Sequence, residues 1–411
     1  MTYTSVTAGS VTSPAGFRAA GVAAGLKSNG MPDVALLLSD GPATACGAFT
    51  ANAFAAAPVV YDRRIIAGAR PIRAIVANSG NANACTGAKG VSDVEALVRH
   101  VAQLLDMSTG DTLVSSTGRI GVHLDMPRLL AGVDKAGRVL ARAGGLQAAR
   151  AIMTTDTRPK SCAVTLPVNG ERVTIGGMAK GAGMIAPNMR PVGGRHATML
   201  AYMTTDAVVS RDFLNACLGQ AADASFNRIT VDGDTSTNDS FIVLANGFAG
   251  NEILTTRHPD AEAFAAAFTC VAKHLAEAIV RDGEGMTRFV IVRVTGAKDD
   301  AEARMCAETV ANSPLCKTAW CGGDPNWGRV LAAAGRAGVD INPEAASLDY
   351  NGVPILRNGQ DAGTPESAQR QAVSGENIEL KLDLGAGNSE YSVWTCDLTH
   401  AYITINAEYH T

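Results

Sequence analysis

The sequence predicts a mixed α/β fold, and three observations point to it. Short apolar runs bounded by Gly, Asn or Asp read as buried strands, with amphipathic helical stretches between them. From Thr287 onward the texture turns strand-rich. The 411 residues are 46% hydrophobic and 18% charged, enough apolar mass for two or three units, each with its own core.

In chain order, VALLLS (34–39) and AIVAN (74–78) read as strands. Ser92 to Asp106 reads as a helix, with Ser92 and Glu95 as a capping box and Val94, Leu97, Val98, Val101, Leu104 and Leu105 along one face. TLVSST (112–117), CAVTLPV (162–168) and FIVLANG (241–247) read as further buried strands. Asp260 to Arg281 reads as a long Ala-rich helix that buries Phe264, Phe268, Val271, Leu275 and Ile279. The last quarter holds FVIVRVTGA (289–297), SLDYN (347–351), IELKLDLG (378–385) and SEYSVWTCDLTHAYITINAEY (389–409), whose alternation suits antiparallel pairs. Two lobes follow: a main one over 1–286 and a smaller, strand-rich one over 287–411.

Composition excludes several classes of function. The net charge is -4, and no basic cluster is interleaved with aromatics, so no nucleic-acid partner is expected. Nine widely spaced cysteines do not form a disulfide framework, and no second pair accompanies Cys316 and Cys321 at zinc-site spacing. The first residues lack a basic start and an apolar core, and no apolar run reaches bilayer length. A cytoplasmic protein without membrane association is expected. There is no G-x-x-x-x-G-K-[ST] loop, G-x-S-x-G elbow or H-E-x-x-H helix. Gly176 to Gly183 matches a phosphate loop only loosely. DGDTSTND (232–239) is rich in Asp and Thr, and a polar turn explains it better than a metal site. No metal is expected.

A further set of motifs runs along the chain. KGAGMIAPNM (180–189) is followed by ATML (197–200) and TTDA (204–207). STGRIG (116–121), AIMTTD (151–156), DGDTSTND, DGEG (282–285), NSPLCKTA (312–319), GDPNWGR (323–329) and the ending Asn406 to Thr411 all occur in one order. In that order they resemble the ornithine acetyltransferase family. The resemblance covers nearly the whole chain. It implies a layered helix–sheet–sheet–helix core of the self-cleaving N-terminal-threonine type. The cut falls between Ala197 and Thr198 and gives an α chain (1–197) and a β chain (198–411) that stay together, in an α2β2 or larger assembly.

The chemistry implied is acetyl transfer from N2-acetylornithine to glutamate through an ester on Thr198. A threonine hydroxyl needs a base to become a nucleophile. Cutting before Thr198 creates an α-amino group on the same residue, with a reference pKa of about 7.7–8.0 that burial lowers. One residue then supplies both nucleophile and base. The family's oxyanion donors match Thr117 and Gly118, which without that pattern read as an ordinary strand-ending turn. Its substrate-binding residues match Thr154, Lys180, Thr198, Glu284, Asn406 and Thr411. Lys180 suits a substrate carboxylate and Glu284 a cationic amine. Read singly, Lys180 is a solvated lysine and Glu284 a helix-end acid. For Asn406 and Thr411 to take part, the chain end must fold back.

No bound cofactor is implied, and acetyl-CoA stays open as a co-substrate. GDPNWGR reads as structural, with Asp324 capping a helix that starts at Asn326 and Trp327 packed on the body. One departure stands out. Family members run PNM directly into ATML, whereas here Arg190 to His196 intervene. Loop insertions are inexpensive, about 0.6 kcal/mol per doubling of length. This one falls where the placing of the Ala197 carbonyl decides whether cleavage proceeds. Other readings are an amidase or aminopeptidase using the same threonine with water as acceptor, or an uncleaved, non-catalytic relative.

Overall fold

The structure, a computed structural model, describes residues 3–50, 52–187, 189–191 and 199–408. The chain divides into two units. One holds the residues up to Asn227 together with Thr235–Ile279, and the other holds Arg228–Asp234 and the chain from Val280 onward. The change of texture at 287 marks the first strand of the second unit. The division itself comes earlier, because the turn after the long helix and the crossing segment 228–234 also belong there.

The first unit is built around the 16-residue strand Val34–Phe49. Its pairing is interrupted between Leu38 and Ala43, where Gly41-Pro42 removes a ladder donor. The first half pairs with Phe17–Val22 and Ile72–Asn81, and the latter runs parallel to Thr112–Arg119. The second half pairs with Ser240–Ala245, followed in order by Leu200–Thr205, Glu171–Lys180 and Lys160–Val168. The two halves thus lead into two sheets.

Ala35, Leu37, Ile75 and Leu113 of the first sheet bury against Met178, Tyr202, Ile242 and Leu244 of the second. Outside the first sheet, Val34, Leu36 and Val76 pack on Val94, Leu97 and Val98 of the helix Gly87–Leu105 and on Leu129 and Val133 of Met126–Arg138. Outside the second, Phe241 stacks on Phe226 and Phe268, with centroids 4.9 and 6.4 Å away. Gly177 there leaves room for Val271 and Leu275 of the helix Ala261–Val280. The layers are helix, sheet, sheet, helix. Ala261–Val280 is apolar enough to span a bilayer, but its Phe264, Phe268, Val271, Leu275 and Ile279 are wholly buried in the protein core.

The strands expected in this unit all appear. The first helix of the sequence reading begins at Gly87, not Ser92, and the Ser92 hydroxyl donates to Lys89 O inside it, so Ser92 and Glu95 form no capping box. The apolar face of that helix is as expected for Val94, Leu97, Val98 and Val101, while Leu104 remains exposed.

The second unit carries a sheet ordered Gln360–Asp361, Val353–Arg357, Ser347–Tyr350, Asn377–Asp383, Phe289–Ala297 and Ser389–Cys396. Phe289–Ala297 runs antiparallel to Ser389–Cys396 but parallel to Asn377–Asp383. Antiparallel pairing, which the alternation suits, therefore holds on one side of that strand and not on the other, because helices intervene between Phe289–Ala297 and Asn377–Asp383 and return the chain in the same direction. Val290, Val292 and Val294 bury against Cys306, Val310 and Trp320, and Trp320 donates to Tyr350 Oη at 3.2 Å. Asn326, not Asp324, caps the helix Trp327–Gly335; Asp324 instead accepts from the Asn326 amide at 3.0 Å. Residues 400–408, expected as strand, form a helix.

Candidate active site

In the first unit, four chain segments converge near the ends of paired strands. Thr117 and Gly118 close the strand Thr112–Arg119, beside Ser79 and Gly80 of Ile72–Asn81. Gly118 has φ +127°, and a Cβ there would lie 2.5 Å from the Gly80 carbonyl carbon. Only glycine lets the two backbones approach so closely.

Thr117 is buried and faces the same intersheet layer as Leu113, two pairs of residues back along the strand. From the opposite sheet, buried Lys180 donates to Thr117 Oγ1 at 3.1 Å. A hydroxyl that accepts from an ammonium keeps its own hydrogen for another acceptor. Lys180 ends the strand Glu171–Lys180, at the row where Leu200 and Ser240 pair.

Asp156 fixes the fourth segment. Its Oδ2 accepts from Thr154 N at 2.9 Å, and its Oδ1 accepts from Gly181 N at 2.7 Å and Lys160 Nζ at 2.6 Å. Burial pushes the Asp156 carboxyl up, but Lys160, Lys180 and the Gly181 N–H outweigh it and hold the group at about 2. The half-buried Thr154 is thereby tied to the residue that follows Lys180. Lys27 adds a further positive group that feels Asp156 and Lys180; burial lowers it to about 8 against the pull of Asp33.

Asn238 and Asp239, from the DGDTSTND motif, border the same region. The Asn238 amide donates to Ala82 O at 2.6 Å and Ser116 O at 2.8 Å, which clamps the strand end that bears Thr117. Asp239 is wholly buried, and burial raises its carboxyl well above the ordinary range against the pull of Lys180.

In the second unit, Asn406 Nδ2 donates to Glu284 Oε2 at 2.7 Å. The helix His400–Glu408 is docked on the DGEG turn: Thr399 Oγ1 donates to Gly285 O at 2.7 Å, and Tyr402 Oη to Asp232 Oδ2 at 3.2 Å. Asp397 accepts from Thr287 N at 2.8 Å and Arg288 N at 3.0 Å. Ala197, Thr198 and Thr411 lie outside the described residues, as do residues 192–196 of the inserted stretch.

The structure thus joins Thr117 directly to Lys180, Thr154 to Lys180 through Asp156 and Gly181, and Glu284 to Asn406. Neither Lys180 nor Glu284 is the exposed residue that a single-position reading suggests. Sequence reasoning passed over Asp156, Lys160 and Asn238 as site residues, although AIMTTD and DGDTSTND contain two of them. Among the described residues no cluster of three His, Cys, Asp or Glu side chains could hold a metal ion.

Known proteins resemble this chain over nearly its whole length. The model of the ArgJ family matches residues 18–411. A protein named arginine biosynthesis bifunctional protein ArgJ, from Synechococcus sp., is 45% identical over 98% of both chains. One of the same name from Symbiobacterium thermophilum is 47% identical over 98% of this chain and 99% of its own. A solved ornithine acetyltransferase from Mycobacterium tuberculosis, complexed with ornithine, is 45% identical, covers 46% of this chain and 100% of its own, and has a TM-score of 0.44.

Proposed function

The chain belongs to the ArgJ family, and from that premise we propose that it moves an acetyl group from N2-acetylornithine to glutamate in arginine biosynthesis. Thr198, freed by cleavage after Ala197, attacks the acetyl carbonyl. Ornithine leaves with a proton returned by the threonine's own α-amine. The glutamate amine then attacks the resulting ester and regenerates the hydroxyl. The Thr117 hydroxyl and the Gly118 N–H serve as donors to the oxyanion in both half-reactions. Thr154, Lys180, Glu284, Asn406 and Thr411 hold the substrates, with Lys180 on a carboxylate and Glu284 on a cationic amine.

The observation that carries this reading is the 3.1 Å bond from Lys180 to Thr117. It puts a buried cation on a hydroxyl whose hydrogen stays available, at a strand end that only Gly118 allows. Acetyl-CoA as a second acetyl donor is part of this reading. The reading includes no metal or bound cofactor, a cytoplasmic location, and α and β chains in an α2β2 or larger assembly.

The test is a transfer assay with N-acetylornithine, run with and without glutamate. Acetylglutamate should form with glutamate present, and little free acetate without it. Equal acetate release in both mixtures would instead identify a hydrolase.

A further inference from the structure

Asp239 is 0% exposed, and neither of its carboxylate oxygens has a hydrogen-bond partner among the described residues. Buried polar groups left unpartnered are rare and costly, and those that persist call for a functional reason. Its backbone is held firmly. Thr50 N donates to Asp239 O at 2.9 Å, the next residue, Ser240, donates to Met199 O at 2.8 Å, and the preceding Asn238 is clamped as described. Asp239 therefore stands one residue before the row formed by Ser240, Leu200 and Lys180. The carbonyl that its neighbour binds belongs to Met199, which is bonded to Thr198. The charge that acts on Asp239 is that of Lys180, and burial outweighs its pull and raises the carboxyl.

Self-cleavage needs such an acid. When the Thr198 hydroxyl has added to the Ala197 carbonyl, the departing group is an amide nitrogen, and it leaves only if it gains a proton. We infer that Asp239 gives its proton to the Thr198 nitrogen as the bond from Ala197 to that nitrogen breaks, and afterwards accepts a hydrogen bond from the amine so formed. The balance is simple. The threonine oxygen releases its proton to solvent as it takes over the Ala197 carbonyl as an ester, the carboxylic acid becomes a carboxylate, and the nitrogen becomes a neutral amine. Water then opens the ester to the Ala197 carboxylate and the free hydroxyl, and a second proton leaves to solvent. The orphaned oxygens are thus matched to a partner that cleavage itself creates. This inference rests on the Thr198 reading above.

The experiment uses the full-length chain. Asp239→Asn keeps the shape but has no such proton to give. It is expected to stay a single band, with cleavage slowed at least about a hundredfold, in line with the loss of a general acid. Hydroxylamine, which opens esters and not amides, should leave it intact. Cleavage of Asp239→Asn at the unaltered rate, or two fragments after hydroxylamine, would overturn the inference.

If Asp239→Asn does not fold, infrared spectra with ¹³C-aspartate decide. The uncut Thr198→Ala chain should show one more protonated aspartate carboxyl than the cut chain, and equal numbers would overturn the proposal. A Thr198→Ala chain that still cuts removes the Thr198 reading itself, a failure distinct from that of Asp239.

Discussion

Thr117 and Lys180 make opposite kinds of contribution, and substitution should separate them. Thr117→Val removes the hydroxyl while keeping the volume, and transfer should slow about a hundred- to a thousandfold with little loss of stability, read as kcat beside a urea melt. Lys27 adds a pH dependence. Because its ammonium is lowered to about 8, its charge is lost as pH rises through that value, and the positive field shared with Lys180 weakens. The KM for glutamate should therefore rise above pH 8, and Lys27→Met should flatten that rise.

Asp156 works in the other direction. Its folded-state pKa of about 2 lies below the ordinary 3.8, so its stabilising effect is complete above pH 4 and is lost as pH falls towards 2. A Tm that shows no fall across that window, or one that falls equally in Asp156→Asn, would contradict the assignment. Asp62 is raised by burial, and its Oδ1 accepts from Val114 N at 2.8 Å. A raised acid costs stability as pH climbs above its unfolded value, so Asp62→Asn should raise Tm at pH 7 and make little difference at pH 4. The surroundings of Thr117, Lys27, Asp156 and Asp62 were not legible in the sequence. Thr117, Gly118, Thr154 and Lys180 could be named from the family pattern, but burial and partners come from distant strands.

At the scale of elements, buried strands were the easiest to read. VALLLS, AIVAN and TLVSST are apolar on both faces because helices cover one side of the sheet and a second sheet the other. The C-terminal AYITINAE misled for a physical reason. Its alternating β-branched residues suit a strand, yet Thr399 accepts from Tyr402 N at 3.2 Å and starts a helical turn there. The parallel register of Phe289–Ala297 was likewise hidden, since local alternation does not encode the partner's direction. Two substitutions test these elements. Gly118→Ala should cost roughly 1–3 kcal/mol in urea unfolding, through strain at φ +127° and the clash with Gly80. Thr399→Ala should speed amide exchange across 400–408 and raise KM more than it lowers kcat, because it loosens the helix that presents Asn406 to Glu284.

At the scale of the whole molecule, the two-lobe reading came from a change of texture, and the four-layer core came from the family resemblance. Only the three-dimensional contacts show that segment 228–234 belongs with the later part of the chain. A denaturing gel should show two fragments of near-equal size, and Thr198→Ala one band at 42.3 kDa with no transfer. Sheet order decides whether the two products of the cut can separate. Leu200–Thr205 and Ser240–Ala245 lie after the proposed cleavage point, yet they sit between Glu171–Lys180 on one flank and Val34–Phe49 on the other, both of which lie before it. Pulling the fragments apart would strip a ladder from either side of that inserted pair and leave four raw edges. Severing the polypeptide therefore opens a terminus without opening a seam, and the halves should travel as one body through any column run without denaturant.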